Sequence, residues 1–215
     1  MKSITKLFLY LLVTLGISVQ SSVQNEYSSF SVIGNNNVIN KPGAIELGFK
    51  FALKDGWHTY WLNAGDSGGP AVFEYKNNSN LVISDITWPG PQKIPYPPLM
   101  TYGFKNDLVI PFKLTLNNLE DSQIEIKTKF LVCDDICIPQ NDSFSLELKN
   151  GILNIKQAPN ELLKWKSLIP ARGPPVEIVF PNQNGALEII SDQIDEGSYF
   201  YPVSYTHLTL PTNVQ

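Results

Sequence analysis

Three stretches of this chain alternate apolar and polar residues with a period of two, and that periodicity restricts the fold more than any other feature. In residues 44–53, Ile45, Leu47, Phe49, Phe51 and Leu53 share one face, with Glu46 and Lys50 on the other. Residues 108–116 repeat the pattern through Leu108, Ile110, Phe112, Leu114 and Leu116, and residues 123–133 through Ile124, Ile126, Thr128, Phe130 and Val132. Successive side chains of a strand point to opposite faces, so each run predicts a half-buried strand. The phase of the third puts Leu131 and Cys133 on the face away from the core. Shorter candidates lie at 29–34, 57–62, 71–75, 81–88 and 143–148, separated by turn-forming stretches such as Lys54-Asp55-Gly56 and the glycine-rich run 63–70. Seven or eight short strands without long helices between them predict an all-β chain, folded as an antiparallel β-sandwich. Residues 89–98 are dense in proline and predict a surface loop, and Pro111 predicts an edge position for its strand.

The sandwich is expected over residues 25–150. Residues 159–168 predict one short helix, with Asn160 as cap, Glu161 in the first turn and Leu162, Leu163 and Trp165 at helical spacing. Helix and proline-rich linker together occupy 151–175. Residues 176–202 then read as the truncated start of a second β-rich domain, about 30 residues and too few for a core of their own. At the other end, Lys2 and Lys6 precede an apolar run at 7–17, the pattern of a signal peptide over residues 1–22. That run is too short to span a membrane, and export would place the cysteines in an oxidising compartment. Val203-Ser-Tyr-Thr-His-Leu-Thr-Leu-Pro-Thr212 reads as translated sequencing adaptor. Residues 203–215 are therefore expected to be an artefact, the natural protein to continue past Pro202, and His207 to belong to no site. A net charge of −4 with no basic surplus argues against nucleic acid as a partner.

Few residues carry chemistry. Gly65-Asp66-Ser67-Gly68-Gly69 resembles the surroundings of a trypsin-like serine nucleophile, but that mechanism needs a histidine base and an aspartate orienter elsewhere in the fold. Only His58 remains, nine positions before the serine, so the loop is read as a strand connection. Cys133, Cys137 and His58 are an incomplete ligand set for a structural zinc, and no metal is expected. There remains Leu131-Val-Cys-Asp-Asp-Ile-Cys-Ile-Pro139, which holds both cysteines of the chain. Four extended residues span about 13 Å, whereas a disulfide needs Cα atoms roughly 4.4–6.8 Å apart. Bonding therefore requires the backbone to reverse at Asp134-Asp135. As a staple, a loop of about five residues contributes on the order of 2 kcal/mol, the low end for disulfides. Strained bonds between near neighbours are also the more reducible ones. Structural staple and redox group stay level on these grounds.

Lys54-Asp-Gly-Trp-His-Thr-Tyr60, Thr101-Tyr-Gly103 and Leu131–Pro139 occur in the order of motifs in a known family. Residues 40–150 resemble the N-terminal periplasmic domain of the thiol:disulfide interchange protein DsbD and its relative ScsB. The Gly-Trp-His-Thr-Tyr-Trp, Gly-Asp-Ser-Gly and Val-Cys-x3-Cys-Ile-Pro pieces are nearest the ScsB-like branch. The resemblance implies an immunoglobulin-like sandwich and a protein-disulfide reductase activity that uses no cofactor beyond the cysteine pair. It implies electrons arriving from a transmembrane domain and leaving to oxidised periplasmic proteins: disulfide isomerases, cytochrome c maturation proteins, or copper- and peroxide-stress proteins. It also implies an inner-membrane protein of a Gram-negative bacterium, with transmembrane and thioredoxin-like parts downstream.

By position, Cys137 would attack a partner disulfide and Cys133 would resolve it. His58 and Tyr60 fall among the polar aromatic neighbours of the cysteines, and Tyr102 and Gly103 in the cap loop. Thr101 stands where the family has its cap phenylalanine, which leaves Tyr102 or Phe104 to shield the pair. Asp134 and Asp135 lie between the cysteines, where negative charge disfavours thiolate and makes exchange depend on a docked partner. The rival expectation is a non-catalytic β-sandwich binding or assembly domain with a structural disulfide.

Overall fold

In the computed structural model the described residues are 26–171, Gly173, Tyr199 and Tyr201, with the backbone of 177–179 and 188–190. The expected signal peptide, the expected adaptor stretch 203–215 with His207, and most of 176–202 lie outside the described residues. The strands are β1 Ser28–Gly34, β2 Gly43–Leu53, β3 His58–Gly65, β4 Val72–Tyr75, β5 Leu81–Ser84, β6 Gln92–Tyr96, β7 Leu99–Lys105, β8 Asp107–Leu116, β9 Ser122–Cys133, β10 Cys137–Lys149, β11 Ile152–Leu153 and β12 Lys156–Gln157. The helix α1, Pro159–Lys166, follows, and then a separate antiparallel pair, β13 Glu177–Val179 and β14 Glu188–Ile190. One sheet runs β12-β1-β2-β8-β5 and the other β11-β10-β9-β3-β7-β6, with β4 paired to β9. Among the described residues no helix is long and apolar enough to cross a membrane.

The alternating runs meet where the periodicity predicts. Phe49 and Phe51 of β2 project between the sheets. Phe49 stacks on Phe112 at 4.0 Å and on Phe73 of the opposite sheet at 4.5 Å, while Phe51 meets Phe130 edge-on at 4.7 Å. Aromatic pairs in these arrangements add to the stabilisation from buried area.

Pro111 sits in the interior of its sheet, not at an edge, because β8 pairs with both β2 and β5. Its carbonyl accepts from the Thr87 N–H at 2.8 Å, away from β2. The donor-less nitrogen of a residue points to the same side as its carbonyl, and β5 has already ended there, at Ser84. Asp85, with φ of 48°, turns the chain out of the ladder and cuts short the strand expected to reach residue 88. The proline therefore leaves no partner unsatisfied. The proline-dense stretch 89–98 likewise forms β6, not an open loop. Among the described residues β6 is the outermost strand of its sheet and pairs only with β7, a position that tolerates Pro95.

The stretch expected as helix and linker joins the sandwich. β11 pairs with β10, β12 runs parallel to β1, and α1 covers the outer face of the first sheet. Leu162 and Trp165 are buried while Leu163 is exposed. A methyl group on Gly48 would lie 3.1 Å from Leu162 and 2.4 Å from Val109, so the glycine makes room for the helix. Lys50 pairs with Glu161 at 2.6 Å and Lys166 with Glu46. Ala158 takes the cap position, without a side-chain cap bond, in place of Asn160, because Pro159 supplies the first turn. Leu162→Ala should lower the unfolding free energy by about 2–5 kcal/mol, and Leu163→Ala by less than about 0.5 kcal/mol, in urea denaturation followed by tryptophan fluorescence.

Candidate active site

β9 and β10 pair residue for residue from Ser122–Leu148 to Cys133–Cys137, so the two cysteines stand directly opposite each other at the tip of one hairpin. The chain reverses over Asp134, Asp135 and Ile136, closed by the Asp134 N–H donating to the Ile136 carbonyl at 3.1 Å. The Cα atoms of Cys133 and Cys137 are 4.1 Å apart and the sulfurs are bonded. Cys133 is 1% exposed, whereas Cys137, Asp134, Asp135 and Ile136 all face solvent.

Strand register decides which neighbours these sulfurs have. His58 lies opposite Cys133 on one side and Lys105 on the other, Tyr60 lies opposite Gly103, and Thr59 opposite Phe104. Residues directly opposite share a face, and faces alternate along a strand. Cys133, His58, Tyr60, Thr101 and Gly103 thus share the outer face, while Thr59, Phe104 and Tyr102 share the inner one. Phe104 is 1% exposed and meets Trp165 edge-on at 5.8 Å in the core. Tyr102 contacts Tyr201 at 5.2 Å and hydrogen-bonds the Tyr199 hydroxyl at 2.7 Å. The shielding expected of Tyr102 or Phe104 therefore falls to neither, since both point through the sheet away from the sulfurs.

Tyr60 takes that place. It is 1% exposed, and its phenol oxygen lies 3.0 Å from Cys133 Sγ and 3.3 Å from Cys137 Sγ. Gly103 opposite it carries no side chain. A methyl group there would come within 2.1 Å of the Thr59 carbonyl, so only glycine lets β7 approach β3 this closely. The glycine-rich loop then closes over the ring. Gly68, with φ of 75°, lies so near that a methyl group would fall 2.1–2.4 Å from three ring carbons. Ser67 hydrogen-bonds the phenol and shares a 2.8 Å bond with the hydroxyl of buried Thr101. Asp66 and Met100 exchange two more bonds, at 2.8 and 2.9 Å, that tie the loop to the β6–β7 hairpin.

The loop read as a plain strand connection is thus part of the site, and Ser67 and Gly68 are the residues that sequence reasoning missed. The available clue was the Gly-Asp-Ser-Gly run following directly on the aromatic strand that carries Tyr60. Burial pushes the Tyr60 phenol up from its ordinary range, and the bond from Ser67 partly opposes this. The site therefore presents a protonated phenol to two sulfurs, one sealed and one open.

The bonded cysteine pair at the tip of a paired hairpin lies within a match to a family of thiol–disulfide interchange domains. The chain is a member of the family described as "Thiol:disulfide interchange protein DsbD, N-terminal", whose model matches residues 32–149. Among solved structures, it is similar to the N-terminal periplasmic domain of ScsB from Proteus mirabilis. The identity is 18% and the TM-score 0.49, over 71% of this chain and 58% of that one. It is also similar to the N-terminal domain of Neisseria meningitidis DsbD in the reduced form, at 11% identity and a TM-score of 0.31, over 54% of this chain and 83% of that one. This chain thus spans 58% of the length of the ScsB domain. No curated protein matches it.

His58, whose ring meets that of Tyr60 at 5.5 Å, has its titration lowered below 6.5, first by burial and then by Lys105, with Asp134 acting in the opposite sense. The unfolded chain takes up its proton near 6.5 and the folded one only at lower pH. Stability from the neutral ring is thus present above 6.5 and is lost as pH falls from there to the folded midpoint. NMR titration of His58 should give a midpoint below 6.5. On acidification from about pH 7.5 to 5.5 the wild type should lose more thermal stability than His58→Gln.

Proposed function

We propose that the chain is a periplasmic electron carrier that takes reducing equivalents from a membrane-embedded reductase domain and passes them to oxidised periplasmic proteins through Cys133 and Cys137. The observation that carries this reading is the position of the disulfide on a ladder that is already closed. β9 and β10 hold their register as far as the cysteines themselves, so the bond constrains almost nothing that the strands leave free. It joins neighbours in one sheet and does not link the two sheets. A staple there does little, whereas a redox group there can open and close without disturbing the fold.

The difference in exposure supports the division of labour. In the reduced domain the Cys137 thiolate attacks one sulfur of a partner disulfide, forming a mixed disulfide and releasing the partner's other sulfur as a thiolate. Cys133 passes its proton to the thiolate released from the partner and then attacks Cys137 Sγ. The Cys133–Cys137 bond forms, the mixed disulfide breaks, and the partner leaves with two electrons, as a dithiol once its second thiolate takes a proton from water. The cysteine pair is the whole redox group of this reaction. Disulfide isomerases, cytochrome c maturation proteins and copper- or peroxide-stress proteins are the partner classes that the family suggests.

Two measurements check this. Equilibration of the oxidised chain in thiol buffers, followed by thiol trapping, should give a reduction potential above about −300 mV with the reduced protein still folded. A potential below that, or unfolding on reduction, would instead identify a structural disulfide in a binding domain. Separately, Cys133→Ser should leave Cys137 able to accumulate as a mixed disulfide with oxidised glutathione, about tenfold or more faster than Cys133 does in Cys137→Ser. Equal rates would remove the assigned roles.

A further inference from the structure

We propose that Tyr60 is a catalytic residue of this exchange, donating a hydrogen bond to whichever sulfur carries the thiolate, and that the loop at 65–70 is the device that positions it through Ser67. The proposal rests on the exchange reading above and adds a proton donor to it.

The geometry supplies three independent supports. First, one phenol oxygen reaches both sulfurs, at 3.0 and 3.3 Å, so its single proton can serve either without the ring moving. Second, hydroxyls gather behind the phenol: Ser67 and Thr101 share a 2.8 Å bond, and the Ser67 side chain acts on the Tyr60 phenol, whose oxygen in turn meets sulfur. A phenol has one proton to give and lone pairs to receive. When Ser67 donates to the phenol oxygen, the phenol proton is left for sulfur. Third, the ring is held on its face by the Gly68 backbone, where no larger residue fits, and both Tyr60 and Thr101 are almost fully buried. A packing tyrosine does not need a loop that both presses on its ring and bonds its hydroxyl.

Chemically, a bonded sulfur is a weak acceptor, whereas a thiolate is a charged one. Hydrogen bonds to ionised acceptors are roughly twice as strong as neutral ones, so the donor favours the reduced, ionised pair most. During transfer the phenol proton first turns to Cys137, lowering the cost of its thiolate before it attacks the partner. It then turns to Cys133 as that sulfur passes its own proton to the thiolate released from the partner and closes the disulfide. Tyr60 is neither oxidised nor reduced and keeps its proton throughout. The phenol also works against Asp134 and Asp135, whose charges oppose thiolate at the same tip.

The test uses the reduced chain and the pH dependence of alkylation by iodoacetamide, with Tyr60→Phe removing the donor and keeping the ring. The midpoint for the faster cysteine should rise by about one pH unit. The rate at neutral pH should fall only about threefold, because a more basic thiolate is intrinsically more nucleophilic. Ser67→Ala, which keeps the phenol and loses its orientation, should shift the midpoint the same way by less. A Tyr60→Phe profile that superimposes on wild type overturns the catalytic role. A shift in Tyr60→Phe with none in Ser67→Ala overturns the role of the loop. If Tyr60→Phe does not fold, Ser67→Ala decides alone, and an unchanged profile overturns the proposal. These outcomes are distinct from failure of the exchange reading, which shows in the wild type as a potential below about −300 mV.

Discussion

The ladder between β9 and β10 is the interaction on which the site depends. Its register puts Cys133 across from Cys137, its three-residue tip exposes one sulfur, and its phase sends Val132 into the core while Cys133 faces outward. Slipping the pairing by one residue would turn every side chain of a strand to the other face. Ile124, Ile126, Phe130 and Val132 would then leave the core together. Hydrophobic burial along the whole strand therefore fixes the geometry of two sulfurs at its end, a precision that the tip residues could not supply by themselves.

What the sequence made legible follows from the same rule. The period-two runs gave the long strands and their inward faces, and the phase of residues 123–133 placed Cys133 outside the core. The cysteine pair stood out from its spacing, and the family resemblance placed His58 and Tyr60 beside it. Two kinds of information were out of reach. Proline's behaviour depends on which side its nitrogen faces, which sequence does not show, so Pro111 and Pro95 both misled. Contacts between segments distant in the chain were equally hidden. Thr101 pairs with Ser67 and Gly68 rests on Tyr60 because β3, β7 and the intervening loop meet in space. For that reason the glycine-rich loop looked like an ordinary connection, and the aligned cap position looked vacant.

The surroundings of the sulfurs pull in opposite directions. Acidic residues at the tip raise the cost of a thiolate, while a buried phenol lowers it. His58 and Lys105 sit on the same face, with the imidazole held toward its neutral form. The acidic pair is exposed and so within reach of a docking protein's charges, whereas the phenol is sealed beneath the loop and constant. Contact with a partner can alter the first influence and leave the second untouched.

The strands pair fully up to the cysteines, so the backbone hydrogen bonds that hold the tip do not depend on the bond between the sulfurs. On the proposed exchange, opening and closing the bond would then ask little rearrangement of the scaffold. On that reading, a partner would not tell the reduced form from the oxidised one by its overall shape. That discrimination must be read at the tip, from Cys137, Ile136 and the two aspartates.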